Sequence, residues 1–208
     1  MSLYLSCLTL QRGHRRTESE LSYPYELHRT LCKAWDDPEA ARILFRPDET
    51  DRVVRVIVQS QALPDWSRLE TSDDYLLRRE GPKEVEFDGL KVDQLLAFRL
   101  RCRPSMRIGE RGHEDEGKRK SLKSKEDILA WLDRKALEGG FQVEEVAFDR
   151  VYWHESRGGK DAKPLGAVQF DGILVVNDPD QLREAVRNGV GPQKAYGFGL
   201  LSLSPLTR

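Results

Sequence analysis

Residues 3–10, LYLSCLTL, place Leu3, Leu5 and Cys7 on one side of an extended chain and Tyr4 and Ser6 on the other. Leu8 and Leu10 then fall on the second side. The broken alternation predicts a strand that is covered on both faces or carries a bulge. A polar loop, QRGHRRTESELS, follows. YPYELHRTL then opens a helix. Pro24 suits its first turn, where an N–H has no helical partner. Leu27, Leu31 and Ala34 recur at helical spacing as a stripe for the core. VVRVIVQS (53–60) is a β-branched strand. From 61 to 94 the turn signals LPDW, EGPK and FDGL appear without a clean period, as expected for the end of a first unit and a connector.

The second half reads more sharply. LLAFRLRCRP (95–104) predicts a strand, and KSKEDILAWLDRKALEGG a helix with Ser124 as N-cap and Gly139 or Gly140 as its stop. FQVEEVAFDRVYWHE (141–155) predicts a strand run, and SRGGKDAKPLG a basic, turn-rich loop. AVQFDGILVVND predicts a hairpin turning at Asp171-Gly172. DPDQLREAVRNG is a short helix ending at Gly189, and AYGFGLLSLSP a final strand. This β-α-β-β-α-β order, with a hairpin elaboration, is the ferredoxin-like arrangement. The first half opens β-α-β in the same way. The expected architecture is therefore α+β, with two tandem ferredoxin-like (βαββαβ) domains at 1–92 and 93–208.

Composition narrows the class. The 208 residues suit one large or two small domains, and 38% hydrophobic with 33% charged content fits a soluble globular chain. No apolar run approaches the roughly 20 residues needed to cross a bilayer, so no membrane partner is expected. The start reads as a strand, not a signal peptide. Three scattered cysteines, Cys7, Cys32 and Cys102, fit free thiols in a reducing cytoplasm. Net charge is −1, but it is polarised: residues 36–95 hold 15 acidic against 9 basic side chains, and 99–125 hold 10 basic against 4 acidic. Such asymmetry marks either a nucleic-acid face or a solvated charged loop.

Four segments carry candidate chemistry. On the 24–34 helix, Tyr25 and His28 lie about 60° apart, off the apolar stripe; Arg29 and Lys33 extend the polar side. An imidazole can give or take a proton near neutral pH, and the cations can hold a phosphate. On the helix alone, a packed Tyr–His pair is the simpler reading. FRLRCR points Arg99, Arg101 and Arg103 to one sheet face. Either an anion or acidic residues on a neighbouring strand would relieve their repulsion. GERGHEDEGKRKSLKS ends in Lys118, Arg119, Lys120 and Lys123, a phosphate-contacting patch or a solvated loop. NGVGPQKAYGFGLLS contains Gly189, Gly191, Gly197 and Gly199 with Lys194. Its backbone amides could approach phosphates, or it could be a tight turn into an edge strand. Its helix–glycine–strand order excludes the dinucleotide fingerprint, and no GKS or GKT element is present. The four histidines show no HExxH or other metal-ligating pattern, and no GxSxG elbow occurs. No metal and no cofactor are expected.

Together, PYELHRTL, LPDWSRL, FRLRCRP followed by GKRKSLKS, and GVGPQKAYGFGLLS resemble, in order and over nearly the whole chain, the CasE-type CRISPR RNA endoribonucleases. These are repeat-cleaving subunits of the type I-E Cascade complex, in the RAMP superfamily. The resemblance implies two ferredoxin-like domains and metal-independent cleavage at the base of the CRISPR repeat stem-loop. The partners implied are that RNA and the other Cascade subunits. It implies His28 as catalytic acid or base, Tyr25 as its assistant and Lys33 as a stabiliser of the transition state. It also implies a basic hairpin at 155–165, with Arg157, Lys160 and Lys163, entering the stem, and the glycine-rich loop beside the RNA. Many relatives have Asn before the proline, a good cap; this chain has Tyr23, which leaves the Tyr25–His28 spacing intact.

RNA supplies its own nucleophile, the 2′-hydroxyl. The protein need only align it, move two protons and stabilise charge. The expected assignment has His28 protonating the 5′ leaving oxygen and Tyr25 positioning or deprotonating the 2′-hydroxyl. Lys33 or Arg29 would hold phosphate charge, and the expected products are a 2′,3′-cyclic phosphate and a 5′-hydroxyl. Two other readings compete. One is a non-catalytic RNA-binding subunit of the same superfamily. The other is a small-molecule enzyme using the glycine-rich loop, which the element order disfavours.

Overall fold

A computed structural model describes residues 2–69, 74–108, 118–154 and 164–206. Arg157, Lys160 and Lys163 lie outside them. Strand β1 (Leu3–Gln11) leads through helices α1 (Arg15–Ser22), α2 (Pro24–Cys32) and α3 (Pro38–Ala41) to β2 (Leu44–Glu49), β3 (Val53–Ser60) and β4 (Leu76–Val85). These strands form an antiparallel sheet in the order β2-β3-β1-β4. The second unit runs β5 (Leu95–Cys102), a ribbon of β6 (Ser105–Ile108) and β7 (Lys118–Ser121), α4 (Lys125–Glu138), β8 (Phe141–His154), β9 (Pro164–Val176), α5 (Pro179–Asn188) and β10 (Leu201–Pro205). Its sheet order is β10-β5-β9-β8. Both orders follow the ferredoxin-like plan, in which the first and third strands pair at the centre. In the first unit a 3-10 turn at Trp66–Arg68 stands where a second long helix would lie.

The broken alternation of β1 is a bulge: its register against β4 shifts between Leu5 and Cys7, and Ser6, Leu8 and Leu10 turn inward. On α2 the stripe behaves as its spacing predicts, with Leu27, Leu31 and Ala34 buried. Helix α4 starts at Ser124, whose side chain accepts from the Asp127 N–H, and ends at Gly139.

Three expectations are corrected. The polar segment 11–22 contains helix α1, whose buried positions include Thr17 and Glu20 beside Leu21. Residues 61–94 contain β4, an edge strand with mostly exposed side chains. Asp171-Gly172 is not a turn: β9 runs straight through it. Glycine is needed there because the Glu145 carbonyl, at a register shift of β8, would lie 2.0 Å from an added Cβ. That side of the strand has no room for a side chain.

The two units meet along a seam between β2–β3 and the α5–β10 end of the second unit. Gln59, buried on β3, donates to the Val186 carbonyl at 2.8 Å. This satisfies one of the last carbonyls of α5, which helix geometry leaves without partners. Arg46 reaches Ser202 Oγ at 2.8 Å, and Arg42 reaches Asn188 Oδ1 at 3.2 Å. Gln59→Leu keeps the volume but strands the carbonyl, which typically costs about 1–3 kcal/mol. Urea unfolding should show a loss of that size; an unchanged midpoint would mean the seam does not rely on this bond.

Candidate active site

Helix α2 carries the candidate pair to the seam. Tyr25 is exposed and His28 half-buried, their rings 6.0 Å apart. The imidazole stacks on Phe45 of β2, with centroids 6.0 Å apart and planes within 10°. The Cys32 thiol, one helical turn on, sits 3.6 Å from Nε2. Burial holds the His28 pKa below its ordinary 6.5, so the resting imidazole is neutral at pH 7. Burial likewise raises the Cys32 pKa, with its own backbone as a weaker opposing influence, and keeps it a thiol.

The fourth side chain comes from the other unit. The glycine-rich segment leaves α5 at Gly189, forms a 3-10 turn at Lys194–Tyr196 and enters β10. Gly189, Gly191, Gly197 and Gly199 all have positive φ, a backbone shape that a Cβ disfavours. At Gly197 a Cβ would also press on the Phe45 ring at 3.2 Å. Gly199 N–H donates to the Arg101 carbonyl at 2.7 Å, and Val190 N–H to Gly199 at 2.8 Å. This course lays Tyr196 beside Tyr25, centroids 5.8 Å apart. The loop thus does structural work as a tight turn and delivers an aromatic ring to the site. Lys194 turns its Nζ to the Gly191 carbonyl at 3.0 Å. With Arg134 and Lys135 of α4 it lines a cleft of about 710 Å³.

The other site residues divide. Arg29 is exposed and pairs with Glu26 at 3.6 Å. Lys33 is exposed at the end of α2, about 140° round the axis from His28. For Arg99 and Arg101, pairing across strands is what the structure shows. Arg99 binds Asp171, directly opposite on β9. Arg101 is buried and donates to Pro47 O at 2.6 Å and Gln169 Oε1 at 2.7 Å. Burial pushes its pKa down to about 10, against the opposing pull of Asp48, so it stays charged. Arg103 donates to Ser121 Oγ and Gln193 Oε1, each at 2.9 Å. Lys120 and Lys123 are exposed, and the backbone of Lys118 and Arg119 lies in β7. Among the described residues no group of three or more His, Cys, Asp or Glu comes together to hold a metal, and no helix is long and apolar enough to cross a membrane.

Sequence reasoning missed Phe45 and Tyr196 as site residues. Tyr196 had one signal, an aromatic among closely spaced glycines. Phe45 had none, because its strand is short and carries Pro47. Chemically, the site offers a neutral imidazole, a phenol and an aromatic surface at an open seam. That suits proton exchange beside a ligand with a planar base.

A family model described as CRISPR associated protein matches residues 3–205. The CRISPR-associated endoribonuclease Cse3 of Thermus thermophilus is 36% identical over 220 residues, covering 98% of this chain and all of the relative. The CRISPR system Cascade subunit CasE of Escherichia coli is 33% identical over 216 residues, with 98% of this chain and all of that protein covered. A solved structure of Cse3 bound to a 19-nucleotide RNA superposes with a TM-score of 0.84 at 35% identity, covering 99% of this chain and 100% of the other. Helix α2, the arginine strand and the glycine-rich loop thus sit in a chain that belongs to the CRISPR associated protein family, among its CasE-type members.

Proposed function

We infer that this chain is a metal-independent endoribonuclease that cuts CRISPR repeat RNA at its stem-loop and serves in a Cascade complex. The carrying observation is the Tyr25–His28 pair, open at the seam on α2, in a chain matched end to end by relatives named as the endoribonuclease Cse3 and the Cascade subunit CasE. The unit at 1–92 carries the catalytic helix and the unit at 93–208 the basic hairpin. Exposed Lys120 and Lys123, together with Lys118, Arg119, Arg157, Lys160 and Lys163, supply contacts to the phosphates of the stem. The A-form shape of the stem sets recognition. Free thiols at Cys7, Cys32 and Cys102 suit the cytoplasm as its compartment.

Burial lowers the His28 pKa, which supports giving it the base role. His28 takes the proton from the 2′-hydroxyl, and the 2′-oxygen attacks phosphorus. The bond from phosphorus to the 5′-oxygen breaks, and the Tyr25 O–H protonates that oxygen. Arg29 and Lys33 offset charge on the phosphorane, and Tyr196 stacks on a neighbouring base. This yields a 2′,3′-cyclic phosphate and a 5′-hydroxyl.

His28→Ala should slow cleavage of repeat RNA in EDTA by about 10²–10⁴-fold while retaining RNA binding; undiminished cleavage would remove His28 from the mechanism. The pH profile tests its role. With a neutral imidazole as base, kcat/KM should rise with pH through an apparent pKa below 6.5 and then level off, since this ratio reports the free enzyme. A decline as pH rises through that same range would instead make the imidazolium the working form.

A further inference from the structure

Behind the catalytic helix lies a network of four side chains. The Glu20 carboxylate of α1 is buried, 4% exposed. Its Oε1 accepts from Arg16 Nε at 3.0 Å and from Thr30 Oγ1 at 2.6 Å, and its Oε2 accepts from the Tyr75 hydroxyl. Arg16 Nη2 donates in turn to Thr30 Oγ1 at 3.0 Å, and the guanidinium lies 4.3 Å from the Tyr75 ring centroid. Burial and the Glu20 charge both hold the Tyr75 hydroxyl protonated. A buried carboxylate is costly unless its lone pairs are filled. Here three donors from three parts of the chain fill them.

Thr30 is the member on α2. It lies about 200° round the axis from His28, so it faces inward where His28 faces out. Elsewhere the helix is held by the Leu27–Leu31–Ala34 stripe, which packs without directional preference, and by backbone hydrogen bonds at its ends, Tyr23 N–H to Ser19 O at 3.0 Å and Asp65 N–H to Ala34 O at 2.9 Å. The helix also carries its reacting groups about 6 Å from its axis, so a rotation of about 10° shifts them by about 1 Å. Misplacement of that size can cost about 10²-fold in rate.

We propose that the Arg16–Glu20–Thr30–Tyr75 network is the positioning device of the reaction, in which the Thr30–Glu20 hydrogen bond sets the rotation of α2 and hence the aim of His28 and Tyr25. This rests on the ribonuclease reading above. Thr30 and Tyr75 are positioning residues: they touch no substrate and act through the helix.

The test compares the wild type with Thr30→Val, Thr30→Ser and Tyr75→Phe, all well below their melting temperatures. Three readouts are taken: single-turnover cleavage of repeat RNA, RNA affinity, and the NMR signals of the His28 imidazole. Thr30→Val should slow cleavage about 10–100-fold with affinity within about threefold and with the His28 ring signals displaced. Thr30→Ser, which keeps the hydroxyl, should recover the rate to within about threefold. Tyr75→Phe should slow cleavage in the same direction, and it carries the test if Thr30→Val does not fold. A folded Thr30→Val or Tyr75→Phe protein that cleaves at the wild-type rate with unmoved His28 signals overturns the proposal, even if it melts earlier. If the wild type binds but does not cleave, the ribonuclease reading fails alone. The imidazole signals then still decide whether the network aims the helix.

Discussion

Arg101 ties the molecule together. From β5 its guanidinium crosses to the Pro47 carbonyl of the other sheet and to Gln169 on its own. Its backbone carbonyl receives the N–H of Gly199. One residue thus holds β2, β9 and the glycine-rich loop. Burying a guanidinium is tolerable only because its donors are met and Asp48 lies nearby at 3.7 Å. The same contacts give Arg101 a structural role at the seam.

The candidate site depends on that seam because neither unit contains it whole. Tyr25 and His28 come from the first unit and Tyr196 from the second. Four glycines at positive φ let the loop hug Leu44 and Phe45 closely enough to bring Tyr196 across. Phe45 serves both sides, stacking under His28 and backing Gly197. Loss of interdomain contact should therefore appear first as a loss of site geometry.

Legibility followed how locally each feature is encoded. Helix α4, with its cap and glycine stop, and β3, with its β-branched run, are specified within their own segments. Helix α1 was not legible, because its inward face is a polar network rather than an apolar stripe: Glu20 and Thr17 are buried where a period search looks for leucine. Strand β4 is an edge strand with exposed charges, and β2 is short with Pro47 inside it, an edge-strand feature. Gly172 gave a turn signal but answers to a carbonyl on a neighbouring strand. The partners of Arg99 and Arg101 lie about 50 to 70 residues away, beyond any local pattern. The Tyr25–His28 spacing was legible. The Phe45 ring beneath it and the burial that keeps the imidazole neutral required the tertiary structure.

On the proposed reading, side chains alone, gathered at this seam, direct the RNA's own 2′-hydroxyl against its phosphate. The most direct measurement is mass spectrometry of the fragment ends after the wild-type protein cuts repeat RNA in EDTA. A 2′,3′-cyclic phosphate on one fragment and a 5′-hydroxyl on the other are predicted. A 3′-hydroxyl with a 5′-phosphate would mean that water attacked the phosphorus, and would rule out attack by the 2′-hydroxyl.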